Sequence, residues 1–240
     1  MPALAFLSQW RDRLPGVCAV CASWPARPVC DACVARFAPP VPRCRSCALP
    51  VPEDVARCGE CLRHPPPLDA CLACCDYAWP WPGRIGRFKF QGEAGWATPL
   101  ATLIRSMPWV EPVLEQADLV LPMPLSAQRL KSRGFNQALE LARQLSPRKM
   151  EARLLLRTRD TPPQSGLPRA QRLTNLRGAF ALEPLRAHEA RGRRVVLVDD
   201  VMTSGASLFA AAQVLRDAGA AHVAGIVFAR TGRPDAARAP

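Results

Sequence analysis

Eight cysteines form four Cys-x-x-Cys pairs: Cys18/Cys21, Cys30/Cys33, Cys44/Cys47 and Cys58/Cys61. A two-residue spacer lets both thiolates of a tight turn reach one ion, and two such turns complete a tetrahedral four-sulfur set suited to Zn2+. Four turns imply two zinc sites. Eight thiolates leave no open coordination position, so both sites read as structural rather than catalytic. Sequential pairing into two tandem ribbons is the simplest arrangement, and spacing alone leaves a cross-braced one open. Cys71, Cys74 and Cys75 complete the 11 cysteines, all before residue 76. They stand in an apolar run that reads as a strand with thiols acting as small hydrophobes, although Cys71/Cys74 has the spacing of a rival knuckle. His64 reads as a surface side chain.

A second constellation spans Arg193 to Ala220. Val195 to Val198 is a β-branched apolar run suited to a parallel strand buried on both faces. Asp199 and Asp200 end it, and two adjacent carboxylates at a strand's carboxyl end must meet solvent, a metal or ligand hydroxyls. Thr203, Ser204, Gly205, Ala206 and Ser207 follow, with three hydroxyls and a glycine that permits close backbone approach. Leu208, Ala211, Ala212 and Leu215 then share one face of a helix that stops at Gly219. The helix aims its free N–H groups at the loop, which makes the loop a phosphate cradle. Neither a Walker-type loop nor a dinucleotide fingerprint is present.

The elements that hold these groups fall into two modules. Residues 1–82 contain 14 of the 26 prolines and two of the 14 glycines, with no apolar run long enough for a central strand. So short and proline-rich a segment cannot bury enough apolar surface to fold alone, and metal binding must supply the folding free energy. From Asp118 onward, apolar runs alternate with helix-like stretches, the pattern of a parallel sheet with crossover helices. We place the boundary between a 1–66 double zinc ribbon and a 67–240 α/β domain, because Pro65, Pro66 and Pro67 forbid regular helix there.

Charge is as uneven as the prolines. Of a formal net charge of +12, residues 129–177 carry 12 basic and 3 acidic side chains. A hydrophobic content of 49% excludes bulk disorder. The most apolar late stretch is about a dozen residues, short of the roughly 20 needed for a membrane span. The N-terminus lacks a basic, signal-like start. These features point to reducing cytoplasm, where clustered thiols bind metal rather than form disulfides.

The strand, Asp199-Asp200, and Thr203 to Ser207 together resemble the signature of type I phosphoribosyltransferases, with Ser in place of Thr at 204 and 207. RFKFQG (Arg87 to Gly92), LPMPLS (Leu121 to Ser126), RGFNQ (Arg133 to Gln137) and the spaced set Gln164, Arg172, Asn175, Gly178 and Phe180 extend the likeness. With the cysteine pairs, nearly the whole chain resembles the ComF family of competence-associated proteins. The resemblance implies an α/β fold, a type I phosphoribosyltransferase-like parallel sheet flanked by helices, behind a small N-terminal double zinc ribbon. It implies that Asp199 and Asp200 are catalytic and contact the ribose hydroxyls of phosphoribosyl pyrophosphate, while Thr203, Ser204, Gly205, Ala206 and Ser207 hold its 5-phosphate. Pro124, Leu125 and Ser126, with Lys89, Arg133, Gln164 and Arg172, are candidates for the pyrophosphate and for a hood over the site, and Mg2+ accompanies the ligand.

Three functions are compatible with these residues: a Mg2+-dependent phosphoribosyltransferase-like protein tied to DNA uptake, a non-catalytic adaptor for single-stranded DNA, and a nucleobase salvage transferase. Competence machinery is the protein partner implied by the first. The basic segment favours nucleic acid through counterion release, and equally favours pyrophosphate. The motifs do not encode the acceptor.

Overall fold

A computed structural model of the chain describes residues 16–159 and 178–232. By contacts it separates into two units, residues 1–39 and 40–240. Division by composition and division by contact therefore place residues 40–66 differently: the second cysteine cluster packs within the larger unit, where Cys44, Cys47, Cys58 and Cys61 join the same buried cluster as the sheet.

Within residues 16–39, a Gly16–Ala26 bridge closes a turn over Cys18 and Cys21, and helix α1 (Asp31–Phe37) begins directly after Cys30. The larger unit repeats this plan. An Arg43–Pro50 bridge closes the turn over Cys44 and Cys47, and helix α2 (Gly59–Arg63) begins after Cys58. In both turns an alanine four residues after the first cysteine, Ala22 or Ala48, takes a left-handed φ of 60° or 56° and donates its N–H to that cysteine's carbonyl at 2.8 Å.

The main sheet contains β1 (Ala70–Asp76), β2 (Leu119–Pro122), β5 (Arg194–Met202) and β6 (His222–Arg230) in the order β1-β6-β5-β2, every pair parallel. A two-stranded antiparallel ribbon, β3 (Leu155–Arg157) with β4 (Phe180–Leu182), stands apart from it. The helices are α3 (Trp81–Phe90), α4 (Ala97–Arg105), α5 (Val110–Gln116), α6 (Ala127–Arg133), α7 (Gln137–Leu145) and α8 (Ala206–Asp217). Among the described residues, no helix is long and apolar enough to cross a membrane.

Cys71, Cys74 and Cys75 are buried in β1 and belong to neither cysteine cluster. Side chains of β5 and β6 alternate between the two sheet faces. Val195, Leu197, Val223 and Val227 enter a core shared with Leu208, Ala211, Ala212 and Leu215 of α8. On the other face, the Phe228 ring meets Trp81 of α3 edge-on at 5.2 Å, both fully buried. Coverage on both faces explains the unbroken apolar runs of the central strands.

One expectation is corrected. Asp199 and Asp200 do not end the strand, because β5 continues to Met202, with Asp199 opposite Val227 and Met202 opposite Arg230. β6, as long as β5, supplies ladder partners for these residues, so pairing outlasts the apolar run.

Truncating Phe228 to Ala leaves a cavity against Trp81 and is expected to cost about 3–5 kcal/mol. Urea denaturation should show a lower midpoint with an unchanged slope.

Candidate functional site

The cysteine clusters are sequential pairs. Cys18, Cys21, Cys30 and Cys33 form one and Cys44, Cys47, Cys58 and Cys61 the other, with the four sulfurs of each within 4.8 Å of one another. Four ligands about 2.3 Å from a tetrahedral zinc stand about 3.8 Å apart. The Cys21–Cys30 and Cys47–Cys58 sulfurs are 3.6 and 3.7 Å apart. Backbone N–H groups point at the same thiols in both clusters: Cys30 donates to Cys18 Sγ at 3.4 Å, and Cys58 to Cys44 Sγ at 3.3 Å. Burial works to raise the Cys18 thiol, but the N–H groups of Cys21, Cys30 and Val20 outweigh it and bring it down to about 6. Cys33 shows the opposite balance, pushed up to about 12 by burial and then by the neighbouring thiols. Four sulfurs this close, some favoured as thiolates, form a donor set that a divalent soft-to-borderline cation fits.

The second site lies at the carboxyl edge of the parallel sheet, where ligands of open α/β folds bind. Asp199 is half-buried and Asp200 is 5% exposed. Strand alternation sends their side chains to opposite faces. On the α3 side, Lys89 Nζ sits 2.8 Å from Asp200 Oδ1. The Asp200 N–H donates to Asp199 Oδ1 at 2.9 Å. Burial first, then the charge of Asp200, pushes the Asp199 carboxyl up to about 7 against the pull of Lys89 and Arg133.

Arg133, at the end of α6, is half-buried. It lies over the Phe90 ring at 5.1 Å and donates to Gln137 Oε1 at 3.0 Å. The charges of Asp200 and Asp199 act on its guanidinium. Gln137 is 1% exposed, and its Nε2 reaches the Lys89 carbonyl at 3.5 Å. This one amide therefore links the two cations of the site. Asn136 caps α7 by accepting from the N–H groups of Ala138 and Leu139, and donates to the Met123 carbonyl at 3.1 Å. Both residues fall inside the RGFNQ motif. Their supporting roles depend on contacts 13 and 48 residues away in sequence, which a motif cannot display.

The loop after β5 holds Thr203 exposed and Ser204 half-buried, and Ser207, also half-buried, stands in the first turn of α8. Gly205 takes a left-handed φ of 83° as the N-cap of α8 and has no side chain to cap it. A Cβ at Gly205 would stand 2.4 Å from the Met202 methyl and 2.7 Å from the Phe209 ring. Glycine is required there twice over, for conformation and for space. Ser204 Oγ accepts from the Ala206 N–H at 3.3 Å.

β2 pairs beside β5 and ends at Pro122, opposite Val198. Pro124, Leu125 and Ser126 therefore follow at the same edge as the aspartates. The Ser126 hydroxyl is buried and caps α6, accepting from the Arg129 N–H at 3.4 Å. Leu125 lines a half-open cavity of about 250 Å³ with Pro122, Leu130, Phe135 and Leu139. Gln164, Arg172 and Asn175 lie outside the described residues. Gly178 and Phe180, from the same spaced set, lead into and begin β4.

Two outcomes are expected. Metal analysis of the purified chain should return about two zinc ions, falling to about one when Cys18 and Cys21 are both replaced by Ser. Gly205→Ala should lower stability by about 1–3 kcal/mol through backbone strain and overpacking, read as a lower denaturation midpoint.

A family model described as the phosphoribosyl transferase domain matches residues 130–238. DNA utilization protein YhgH of Escherichia coli K12 is 33% identical over 174 residues, covering 68% of this chain and 73% of that protein. Competence protein F of Haemophilus influenzae is 34% identical over 168 residues, covering 67% and 72%. Competence protein ComFC of Bacillus subtilis is 29% identical over 137 residues, covering 57% and 54%. A parallel sheet carrying the transferase domain, two four-cysteine clusters and relatives at this identity together establish that the chain belongs to the ComF family of competence-related proteins.

Proposed function

We propose that the chain binds phosphoribosyl pyrophosphate with Mg2+ as a phosphoribosyltransferase-like protein serving DNA uptake or use. The observation that carries this reading is the placement, on one sheet edge, of a carboxylate pair beside the amino end of a 12-residue helix entered through Gly205. Asp199 and Asp200 accept hydrogen bonds from the ribose hydroxyls, and the N–H groups and hydroxyls of the Thr203–Ser207 loop hold the 5-phosphate. Pro124, Leu125 and Ser126 border the pyrophosphate, and Lys89 and Arg133 supply positive charge. Gln164 and Arg172 complete the hood in this reading. Mg2+, when bound, neutralises charge on the pyrophosphate through oxygen ligands. The protein's contribution to any transfer is electrostatic preorganisation around a sugar that gains positive charge as pyrophosphate leaves.

The relatives' names refer to competence and DNA utilization, which supports DNA metabolism as the setting and the competence machinery as a partner. Cytoplasm suits the reading, because thiolates must stay reduced to hold zinc. A second reading, a single-stranded DNA adaptor, is favoured by the 12 basic against 3 acidic side chains of residues 129–177.

Calorimetric titration with phosphoribosyl pyrophosphate and Mg2+ should show binding that weakens about a hundredfold when Asp199 and Asp200 are both changed to Asn. Unchanged affinity in that variant would sink the assignment. A carboxyl raised to about 7 holds its proton below that pH, so affinity should fall as pH drops from 8 to 6. Asp199→Asn should flatten this profile, leaving only the ligand's own phosphate titration. For the adaptor reading, single-strand binding should weaken steeply with added salt; salt-independent binding would exclude its electrostatic form.

A further inference from the structure

Arg230 is the last residue of β6 and is 3% exposed. Its guanidinium bridges two parts of the larger unit that are far apart in sequence. Nε donates to the Cys47 carbonyl at 2.8 Å. Nη1 donates to the carbonyls of Met202 at 3.1 Å and of Thr203, and to that of Thr231 at 2.7 Å. Cys47 belongs to the second cysteine cluster, whereas Met202 and Thr203 form the entry to the loop proposed to hold phosphate. A buried guanidinium is stabilised by charge-assisted bonds of this kind, and its planar fork fixes the relative positions of the carbonyls it spans.

The cluster is tied to the sheet at two further points. The Cys71 N–H of β1 donates to the Arg45 carbonyl at 2.6 Å, and Arg43 pairs with Asp76 at 2.8 Å. The loop entry is packed from below as well. Cys71 Sγ lies 3.5 Å from Met202 Sδ, and the Met202 methyl fills the space beside Gly205. A change in the knuckle that turns the Cys47 carbonyl would therefore remove an acceptor from a buried cation whose other bonds shape the loop.

We propose that Arg230 is a positioning residue through which metal at Cys44, Cys47, Cys58 and Cys61 holds the Thr203–Ser207 loop in its phosphate-binding shape, so that zinc and phosphate bind cooperatively. The cooperativity rests on the phosphate reading of the loop given above; the clamp itself rests only on the bonds of Arg230. Because coupling between two binding sites is reciprocal, phosphate ligands must tighten zinc at this cluster. The Cys18/Cys21/Cys30/Cys33 cluster belongs to the other unit and serves as an internal control.

The zinc-loaded full chain provides two readouts. In chelator competition, saturating phosphoribosyl pyrophosphate with Mg2+ is expected to raise the zinc affinity of the second cluster about tenfold and leave the first unchanged. Arg230→Met should abolish that rise. In hydrogen exchange without ligand, amides from Ser204 to Phe209 should exchange about tenfold faster in Arg230→Met, with Val195–Val198 unchanged. Arg230→Lys keeps the buried charge but cannot span both carbonyl sets, so it should show the same loop exchange; it substitutes for the Met variant if that one fails to fold.

A folded Arg230 variant with wild-type loop exchange would overturn the clamp. Wild-type protein that binds the ligand without any change in zinc affinity would overturn the cooperativity while leaving the phosphate reading intact. Wild-type protein that binds no ligand would overturn the phosphate reading, and the cooperativity with it, while the exchange measurement decides the clamp alone.

Discussion

Two carboxylates on consecutive residues at the edge of a buried sheet repel each other, and the cations Lys89 and Arg133 and the buried amide of Gln137 are arranged around them. Asp199 and Asp200 lie within the strand because β5 continues past its apolar run, and the pleat parts their side chains. Lys89 answers Asp200 directly, and the charges of both aspartates act on Arg133. Neither cation is held by its own helix alone, since Gln137 bonds the Arg133 guanidinium and the Lys89 backbone. Burial and the charge of Asp200 push the Asp199 carboxyl up to about 7, against the pull of Lys89 and Arg133.

The cysteine clusters show a second economy. Both are built by the same turn: a left-handed alanine four residues after the first cysteine, and a short helix that starts at the third. Their surroundings differ. Cys21 is exposed in the first cluster, whereas all four cysteines of the second are buried in a core continuous with the sheet. The same four-sulfur donor set thus stands in a small unit in one case and in the wall of an α/β domain in the other. Metal held there would substitute for apolar burial in the first and would add to it in the second.

Much of this was legible in linear order. The Cys-x-x-Cys spacing carries its own geometry, because two residues are what a knuckle needs for both sulfurs to meet one ion. Val195 to Val198 read as a doubly covered strand, and Leu208, Ala211, Ala212 and Leu215 as a helix face, because the periods of strand and helix are local properties. Gly205 was legible as a loop glycine, although its clash partners Met202 and Phe209 were not. The strand's extension to Met202 was hidden because pairing depends on how far a partner runs, and β6 is specified elsewhere in the chain.

Arg230 shows the limit most clearly. In sequence it is one basic residue closing an apolar run; in the fold it is buried and bonded to a carbonyl 183 residues away. The amino-acid sequence by itself determined the chemistry available: eight paired thiols, two adjacent carboxylates, a glycine-bearing hydroxyl loop before a helix. Only the tertiary structure decided which knuckles converge, which cations face the carboxylates, and that the second cluster shares a core with the sheet. Side-chain type and short spacing are written along the chain, whereas a buried charge acquires its partners only when distant strands and turns are brought to one place.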